Sequence, residues 1–403
     1  MIKPIGSDSS RQLTINLVTI CFSLASTFVA QTMLLIAVPL SAFELGASPF
    51  VIGLILSVPY LLPLILAIPF SGIITRVGGK IVIITGGFGM ILGPAVVLAL
   101  PGFSGLILVQ VIVSIAHMAM ILAGQSIVSS LGKGKQLEKY FGWYTTCLSA
   151  GQLVGPILAG WIIDTSGIPM SFLVIIVVSF FATLSGFFLT GSAAIGNRVK
   201  RPLFELQAQV HLLKENVGVK VSIALTVSVV FALSAYGTFL PIYLKSLAVS
   251  ATMIGTLVSL RALFSMLVRP FMPLVIRWVG GRSMAIVCSP VLVALGFMLT
   301  GTTDSFLLLA LLAVLIGFGS GVSQPLSMVV LVESVNENQR SGALAVRLMA
   351  NRGVQFLAPL ILGALAEVMP FSLAFLFGGV FIFIFVGLIV YMMRSFRDEH
   401  LDE

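Results

Sequence analysis

Apolar residues run in blocks of about 20 or more along nearly the whole chain, separated by short polar segments, and a block of that length can cross the hydrocarbon core of a bilayer as one helix. The blocks fall near residues 13–37, 50–72, 81–100, 104–131, 141–163 and 170–191, then near 221–244, 251–276, 283–301, 305–332, 341–366 and 371–393. They predict an all-α integral membrane protein with 12 transmembrane helices in two pseudo-symmetric six-helix bundles. Residues 1–191 make an N-terminal bundle, 192–220 a cytoplasmic linker and 221–403 a C-terminal bundle. The first block is too long for a removable signal peptide and lacks the small-residue cleavage pattern, so it counts as a helix. Composition agrees: 58% hydrophobic and 9% charged residues lie far from the roughly 45–50% and about 25% of soluble domains.

The polar punctuation repeats. Residues 48–57 read SPFVIGLILS and residues 250–259 read SATMIGTLVS. Pro69-Phe70 and Arg76 recur as Pro270-Phe271 and Arg277, and Gly78-Gly79-Lys80 recurs as Gly280-Gly281-Arg282. Later, Pro156, Gly160 and Asp164 find partners in Pro359, Gly363 and Glu367. A very hydrophobic chain made of two parallel halves is typical of secondary transporters, whose substrate site lies at the repeat interface near the membrane midplane.

Charge orients the chain. Of 22 Lys and Arg residues, 17 fall on one side of the predicted spans and only Lys245 on the other. By the positive-inside rule both termini and the linker are cytoplasmic. Compact loops without extra domains suggest a multi-pass protein of a bacterial inner (plasma) membrane. Within the linker, Leu203, Leu206, Val210 and Leu213 share a helical face beside Arg201 and Lys214, which suits either a short helix on the inner leaflet or a simple tether. The net charge of +8 follows from the asymmetry and gives no reason to invoke a nucleic-acid partner. The expected surroundings are membrane lipids, with the chain acting as a monomer. Cys21, Cys147 and Cys288 stand singly inside spans, without the spacing of a disulfide framework or a zinc site, and read as apolar filler. No metal or cofactor is expected.

Polar groups in lipid are costly unless satisfied, so polar stripes on apolar helices face other helices or a water-filled cavity. Stepped at about 100° per residue, Gln110, Ser114, His117 and Gln125 share a face of the fourth span. Asn16, Ser23, Thr27 and Gln31 do so in the first span, and Ser320, Gln324 and Ser327 in the tenth. Interhelical hydrogen bonding accounts for any single Ser or Thr, whereas Gln31, His117 and Gln324 are candidates for a substrate pathway. His117 is the mid-span group that titrates near neutral pH and could carry a coupling proton.

Four cations remain inside the spans, Arg261 and Arg269 in the eighth and Arg347 and Arg352 in the eleventh, and no Asp or Glu sits well inside any span. An Arg near the bilayer centre costs roughly 2.5–3.5 kcal/mol even on a lenient scale, so each one poses a functional question. Arg347, Asn351 and Gln355 follow an i, i+4, i+8 line with Arg352 beside it. A guanidinium without an acid would attract an anion or an oxygen-rich solute. The alternative is that Arg261 and Arg352 bind carbonyls or neighbouring amides and hold the C-terminal half together. Arg269, next to Pro270, is expected to brace an inner gate.

The spacing Gly142, Gly151, Gly155-Pro156, Ala159-Gly160 resembles the fifth-helix glycine pattern of the major facilitator superfamily, with Ala159 in place of the first of a final glycine pair. In that family the pattern is associated with exporters, closest here to bacterial 12-helix drug/proton antiporters. Gly72, Thr75-Arg76, Gly79 and Lys80 resemble the family's cytoplasmic loop motif, and Arg277, Gly280 and Arg282 mark its second copy. Thr75 stands where the motif has Asp, so the acid that latches the family's outward-facing state is missing from both copies. Antiporters of the family often carry Arg and then Gly in the fourth helix, where this chain has Gln110 and Ser114. Asn351-Arg352, Gln355 and Pro359 resemble a helix-11 pattern of bacterial members. The resemblance implies alternating access by two rocking bundles, with a small-molecule substrate and protons as the expected coupling ion. The expected activity is export of an anionic, zwitterionic or oxygen-rich amphipathic solute. Broad-specificity multidrug efflux, organic-anion uptake by symport or exchange, and a non-transporting sensor or scaffold are the other readings. No enzyme constellation is visible.

Overall fold

A computed structural model describes residues 7–132, 135–190, 216–336 and 339–399. The linker residues proposed to form a surface helix lie outside them. The described chain is helical, with no strand, and its long helices are α1 Ser7–Glu44, α2 Pro49–Val77, α3 Gly79–Ala99, α4 Phe103–Ser130, α5 Lys135–Ser166, α6 Ile168–Phe187, α7 Val217–Ser246, α8 Ala251–Val268, α9 Arg282–Thr300, α10 Phe306–Glu333, α11 Arg340–Val368 and α12 Phe371–Glu399. Eleven membrane-length apolar helices are found among the described residues, and in α2 the apolar stretch Pro49–Leu64 is described. The eighth span is not one continuous helix. At Arg269-Pro270 it tightens into a 3-10 turn, Arg269–Phe271, and resumes as Met272–Trp278, as expected where a Pro ring removes an N–H and crowds the preceding turn.

The chain folds as two compact units, each made of three stretches of sequence. The first unit holds residues 1–46, 61–198 and 250–259; the second holds 47–60, 199–249 and 260–403. The first turns of α2 therefore pack with the C-terminal helices, and those of α8 with the N-terminal ones. Apart from these exchanged segments the units share one packing plan. The first pairs α3 with α4, α1 with α5, and α6 with both α3 and α1; the second pairs α9 with α10, α7 with α11, and α12 with both α9 and α7.

The repeated decapeptide builds the exchanged segments. Ser48 and Ser250 precede α2 and α8, and their hydroxyls accept from the amides of Val51 (3.5 Å) and Met253 (3.3 Å), the N-cap arrangement that satisfies a donor at a helix start. In the first unit, Asp164 at the end of α5 accepts from the amides of Ala251 (2.8 Å) and Thr252 (2.7 Å) and from the Thr252 hydroxyl (2.6 Å). In the second, its repeat partner Glu367 accepts from the amide of Phe50 (3.1 Å). Carboxylates are favoured at helix N-termini because the unpaired amides and the helix dipole both present positive charge there. The two glycines of the repeat allow the approach: a β-carbon on Gly255 would collide with the Pro156 carbonyl, and one on Gly53 with the Pro359 carbonyl. Ser259 then donates to the Leu153 carbonyl (2.6 Å).

Three of the four polar residues on the α1 stripe serve packing within the first unit. Asn16 Nδ2 donates to the Thr190 carbonyl (2.8 Å) beyond α6, Ser23 donates to the Ala182 carbonyl (2.9 Å), and Thr27 lies against Met120 Sδ (3.6 Å). Cys21 and Cys147 are not isolated as expected: the two free thiols, from α1 and α5, lie side by side.

Candidate functional site

The second unit carries a cationic polar core without acids. Arg347 on α11 donates through Nη2 to Ser327 Oγ (2.8 Å) and the Gln324 carbonyl (3.3 Å), and through Nε to Ser327 Oγ (3.2 Å). Ser222 of α7 donates to the Ser327 carbonyl (2.6 Å), and Thr226 lies 3.4 Å from Ser327 Oγ. Arg347, Gln324, Ser327 and Thr226 line a narrow cleft with Leu225, Val229, Val230 and Ser323. Arg347 thus staples α11 to α10, and three of its contacts to neutral oxygens replace the water it gave up. The same contacts absorb two residues of the α10 stripe, Gln324 through its backbone and Ser327 through its hydroxyl.

Arg352 is held differently. Further along α11, its Nη1 donates to Gln355 Oε1 at 3.0 Å, its one side-chain hydrogen bond among the described residues. Beside it, Ser234 of α7 donates to the Gln355 carbonyl (3.1 Å), and the Tyr60 hydroxyl, from the exchanged segment of α2, lies against Ser234 and interacts with Arg352. The side-chain oxygen of Asn351 is buried with no hydrogen-bond partner in the described structure. A guanidinium has five N–H donors, so most of those on Arg352 remain available. Arg261 on α8 follows the same theme. Its neighbours are the phenol of Tyr236, which is 1% exposed, and the like-charged Arg269, and it has no hydrogen bond among the described residues. Tyr60, Ser234 and Tyr236 were not singled out in the sequence. The legible signal was a tyrosine in mid-span, in the case of Tyr60 flanked by Pro59 and Pro63.

In the first unit, Gln31 on α1 has a buried side-chain oxygen with no hydrogen-bond partner in the described structure. His117 on α4 packs edge-on against Phe28, with ring centroids 4.8 Å apart and an interplanar angle of 70°. Of the fifth-helix glycines, Gly151 and Gly155 seat α5 on α1, where a β-carbon would strike the Ala25 and Val29 backbone and the Thr32 side chain. Gly160 seats against the Ala251 carbonyl, whereas Gly142 faces open space and is not a packing glycine.

The loop motifs brace each unit from within. Gly72 and Thr75 lie in α2, in a stretch whose side chains are outside the described set, and Arg76 is exposed in the last turn of α2. The turn glycine of the first copy is Gly78, with φ +94°, while Gly79 already opens α3; in the second copy Gly280 and Gly281 turn with φ +97° and +112°. Only glycine occupies that region without steric cost. Lys80 Nζ donates to the Phe187 carbonyl at the end of α6 (2.8 Å). Its repeat partner Arg282 pairs with Glu333 at the end of α10 at 2.5 Å. The basic residue after the turn glycines is therefore paired with an acid from another helix in the second copy. Arg277 is exposed, and so is Arg269, which opens the 3-10 turn and has no hydrogen bond among the described residues; the bracing expected of Arg269 is not seen. No group of three or more His, Cys, Asp or Glu side chains able to hold a metal occurs among the described residues.

The fold is shared with known transporters. A nucleoside transporter superposes with a TM-score of 0.78 at 15% identity, covering 93% of this chain and 99% of its own. A POT family transporter solved with 5-aminolevulinic acid gives 0.77 at 15%, covering 96% of both chains. A bacterial homolog of the lysosomal transporter Spinster, inward-facing and unoccupied, gives 0.76 at 14%, covering 99% of both. No curated protein sequence matches the chain. The sequence profile of the Major Facilitator Superfamily matches residues 20–245 and 223–402, together nearly the whole chain, and with twelve long helices among the described residues in two equivalent packing plans this protein is a membrane transporter of that superfamily.

Proposed function

We propose that the protein is a secondary active exporter of a small organic acid, or of a zwitterionic or oxygen-rich solute, and that Arg352 is its principal recognition group. The observation that carries this reading is the environment of Arg352: a half-buried guanidinium whose partners among the described residues, Gln355 and Tyr60, are both neutral. A cation retained there is not matched by protein charge, so the charge that matches it is expected on the solute. Export, rather than uptake, rests on the glycine series of α5, with Gly151 and Gly155 at close contact with α1. In an alternating-access cycle the exchanged segments of α2 and α8 would leave their carboxylate seats and return. His117 is assigned the coupling proton, and His117→Gln is expected to flatten the pH dependence of flux; an unchanged profile removes that role.

The test is counterflow in proteoliposomes loaded with unlabelled organic acids, followed by external labelled acid, for wild type and Arg352→Ala. Saturable exchange that falls by at least about tenfold in the variant supports the reading. Exchange of lipophilic cations that survives Arg352→Ala favours broad-specificity efflux, the second reading that the α5 glycines suit equally well. Absence of any counterflow leaves a sensor or scaffold. A bacterial inner-membrane location with cytoplasmic termini is part of the proposal, and terminal tags should be inaccessible to external protease in intact cells.

A further inference from the structure

We propose that Tyr60 completes, with Arg352, a seat for one monoanionic acid group of the carboxylate type, and that its phenol selects which acids the transporter accepts. This inference rests on the reading of the protein as a transporter of organic acids and names the residue and charge class behind it. Three features of the second unit support it.

The first is delivery. Tyr60 is the last residue of the segment 47–60, which packs in the unit opposite to its own half of the sequence. That segment is seated at its start by Glu367 on the Phe50 amide and along its length by Gly53 against the Pro359 carbonyl. Tyr60 lies eleven residues along α2 from Pro49, about 16 Å at 1.5 Å per residue, so its hydroxyl is brought to mid-span depth by a firmly held helix.

The second is hydrogen-bond capacity. The Tyr60 hydroxyl lies against Ser234, and Ser234 donates onward to the Gln355 carbonyl (3.1 Å) while Arg352 donates to Gln355 Oε1 (3.0 Å). Tyr60 and Arg352 are thereby linked through two residues, Ser234 and Gln355, besides interacting directly. A phenol resting against a serine can turn its O–H to a stronger acceptor, and a carboxylate is one, since hydrogen bonds to ionised acceptors are roughly twice as strong as neutral ones. A carboxylate has two oxygens, matching the guanidinium fork on one side and a phenol donor on the other.

The third is charge. The seat holds one cation, because the interactions of Arg261 are with Tyr236 and Arg269, separate from those of Arg352 with Tyr60 and Gln355. In a medium that screens weakly, one cation balances one negative charge, and a phosphate monoester at about −1.5 to −2 would leave charge unmatched.

The probes are benzoate, its neutral analogue benzamide, and inorganic phosphate, with affinities read as stabilisation of the purified full-length protein against ligand concentration. For wild type, benzoate binds more tightly than either other probe. Tyr60→Phe keeps the ring and removes the hydroxyl, and benzoate affinity is expected to fall about tenfold, one hydrogen bond to a charged group, while benzamide changes less than about twofold. Benzoate affinity unchanged in Tyr60→Phe, phosphate binding tighter than benzoate, or no benzoate binding at all overturns the inference. If Tyr60→Phe does not fold, Ser234→Ala decides. Freed from Ser234, the phenol should bind benzoate about two- to fivefold more tightly, and unchanged or weaker binding counts against it. Loss of benzoate binding in Arg352→Ala combined with indifference to Tyr60 defeats this inference alone. Benzoate binding that is also indifferent to Arg352 defeats the organic-acid reading beneath it.

Discussion

Arg347 and Arg352 stand five positions apart on α11 and illustrate two ways of keeping a cation in a membrane. Arg347 is tied to Ser327 and the Gln324 carbonyl by three hydrogen bonds, and removing it strips a link between α11 and α10. Hydrogen bonds to charged groups contribute about 1.5–3 kcal/mol, so Arg347→Ala is expected to lower Tm clearly. Arg352 has one side-chain hydrogen bond among the described residues, to Gln355, and replacing a poorly compensated charge by an apolar group is often neutral or stabilising. Arg352→Ala should therefore unfold at or above the wild-type temperature without ligand. Thermal denaturation of the two variants side by side checks the distinction; equal losses would make both arginines structural. From the sequence the two differed in depth along the span but not in partners, because spacing reports that residues share a helix flank and not which neighbouring helix offers them an oxygen.

At the scale of elements, the two carboxylate seats are unequal copies of one device. Asp164 receives three hydrogen bonds from the start of α8, whereas Glu367 receives one from the start of α2. Loss of a helix N-cap costs about 0.5–2 kcal/mol, so Asp164→Ala should speed hydrogen exchange at the Ala251 and Thr252 amides roughly 2- to 30-fold. Glu367→Ala should have a smaller effect at Phe50, and the reverse order would contradict the geometry. Gly255→Ala should destabilise more than either, since its β-carbon meets the Pro156 backbone, which cannot swing aside. The repeated Ser, Ile-Gly and Ser of the decapeptide were legible as a repeat, and so was the pairing of Asp164 with Glu367. That each copy seats against the other copy's neighbours was not, because a repeat in sequence states equivalence and says nothing of which partner each element packs on.

At the scale of the whole molecule, the all-helical membrane class was readable because bilayer thickness and hydrophobic run length set a pattern visible in sequence alone. The break of the eighth span was signalled by Pro270, and the bracing at the helix ends beside the two loop motifs was half visible: Lys80 and Arg282 stood out as cations, but their partners, the Phe187 carbonyl and Glu333, are more than 50 residues away in sequence. The Arg282–Glu333 pair is more than half exposed on both sides, so its loss should change stability by less than about 1 kcal/mol. The proposed substrate seat was legible only in its charged member, since phenols and serines in apolar helices look like packing until a neighbouring guanidinium is seen.

The most direct test of the account is a thermal-stability screen of purified wild type and Arg352→Ala against anionic, neutral and cationic small molecules, because a ligand that binds the folded state raises its apparent stability. The account predicts that monoanionic organic acids raise the Tm of wild type and leave that of Arg352→Ala unmoved. Stabilisation by lipophilic cations that persists in Arg352→Ala, with no response to acids, would contradict it and leave the arginines of α8 and α11 as structural groups.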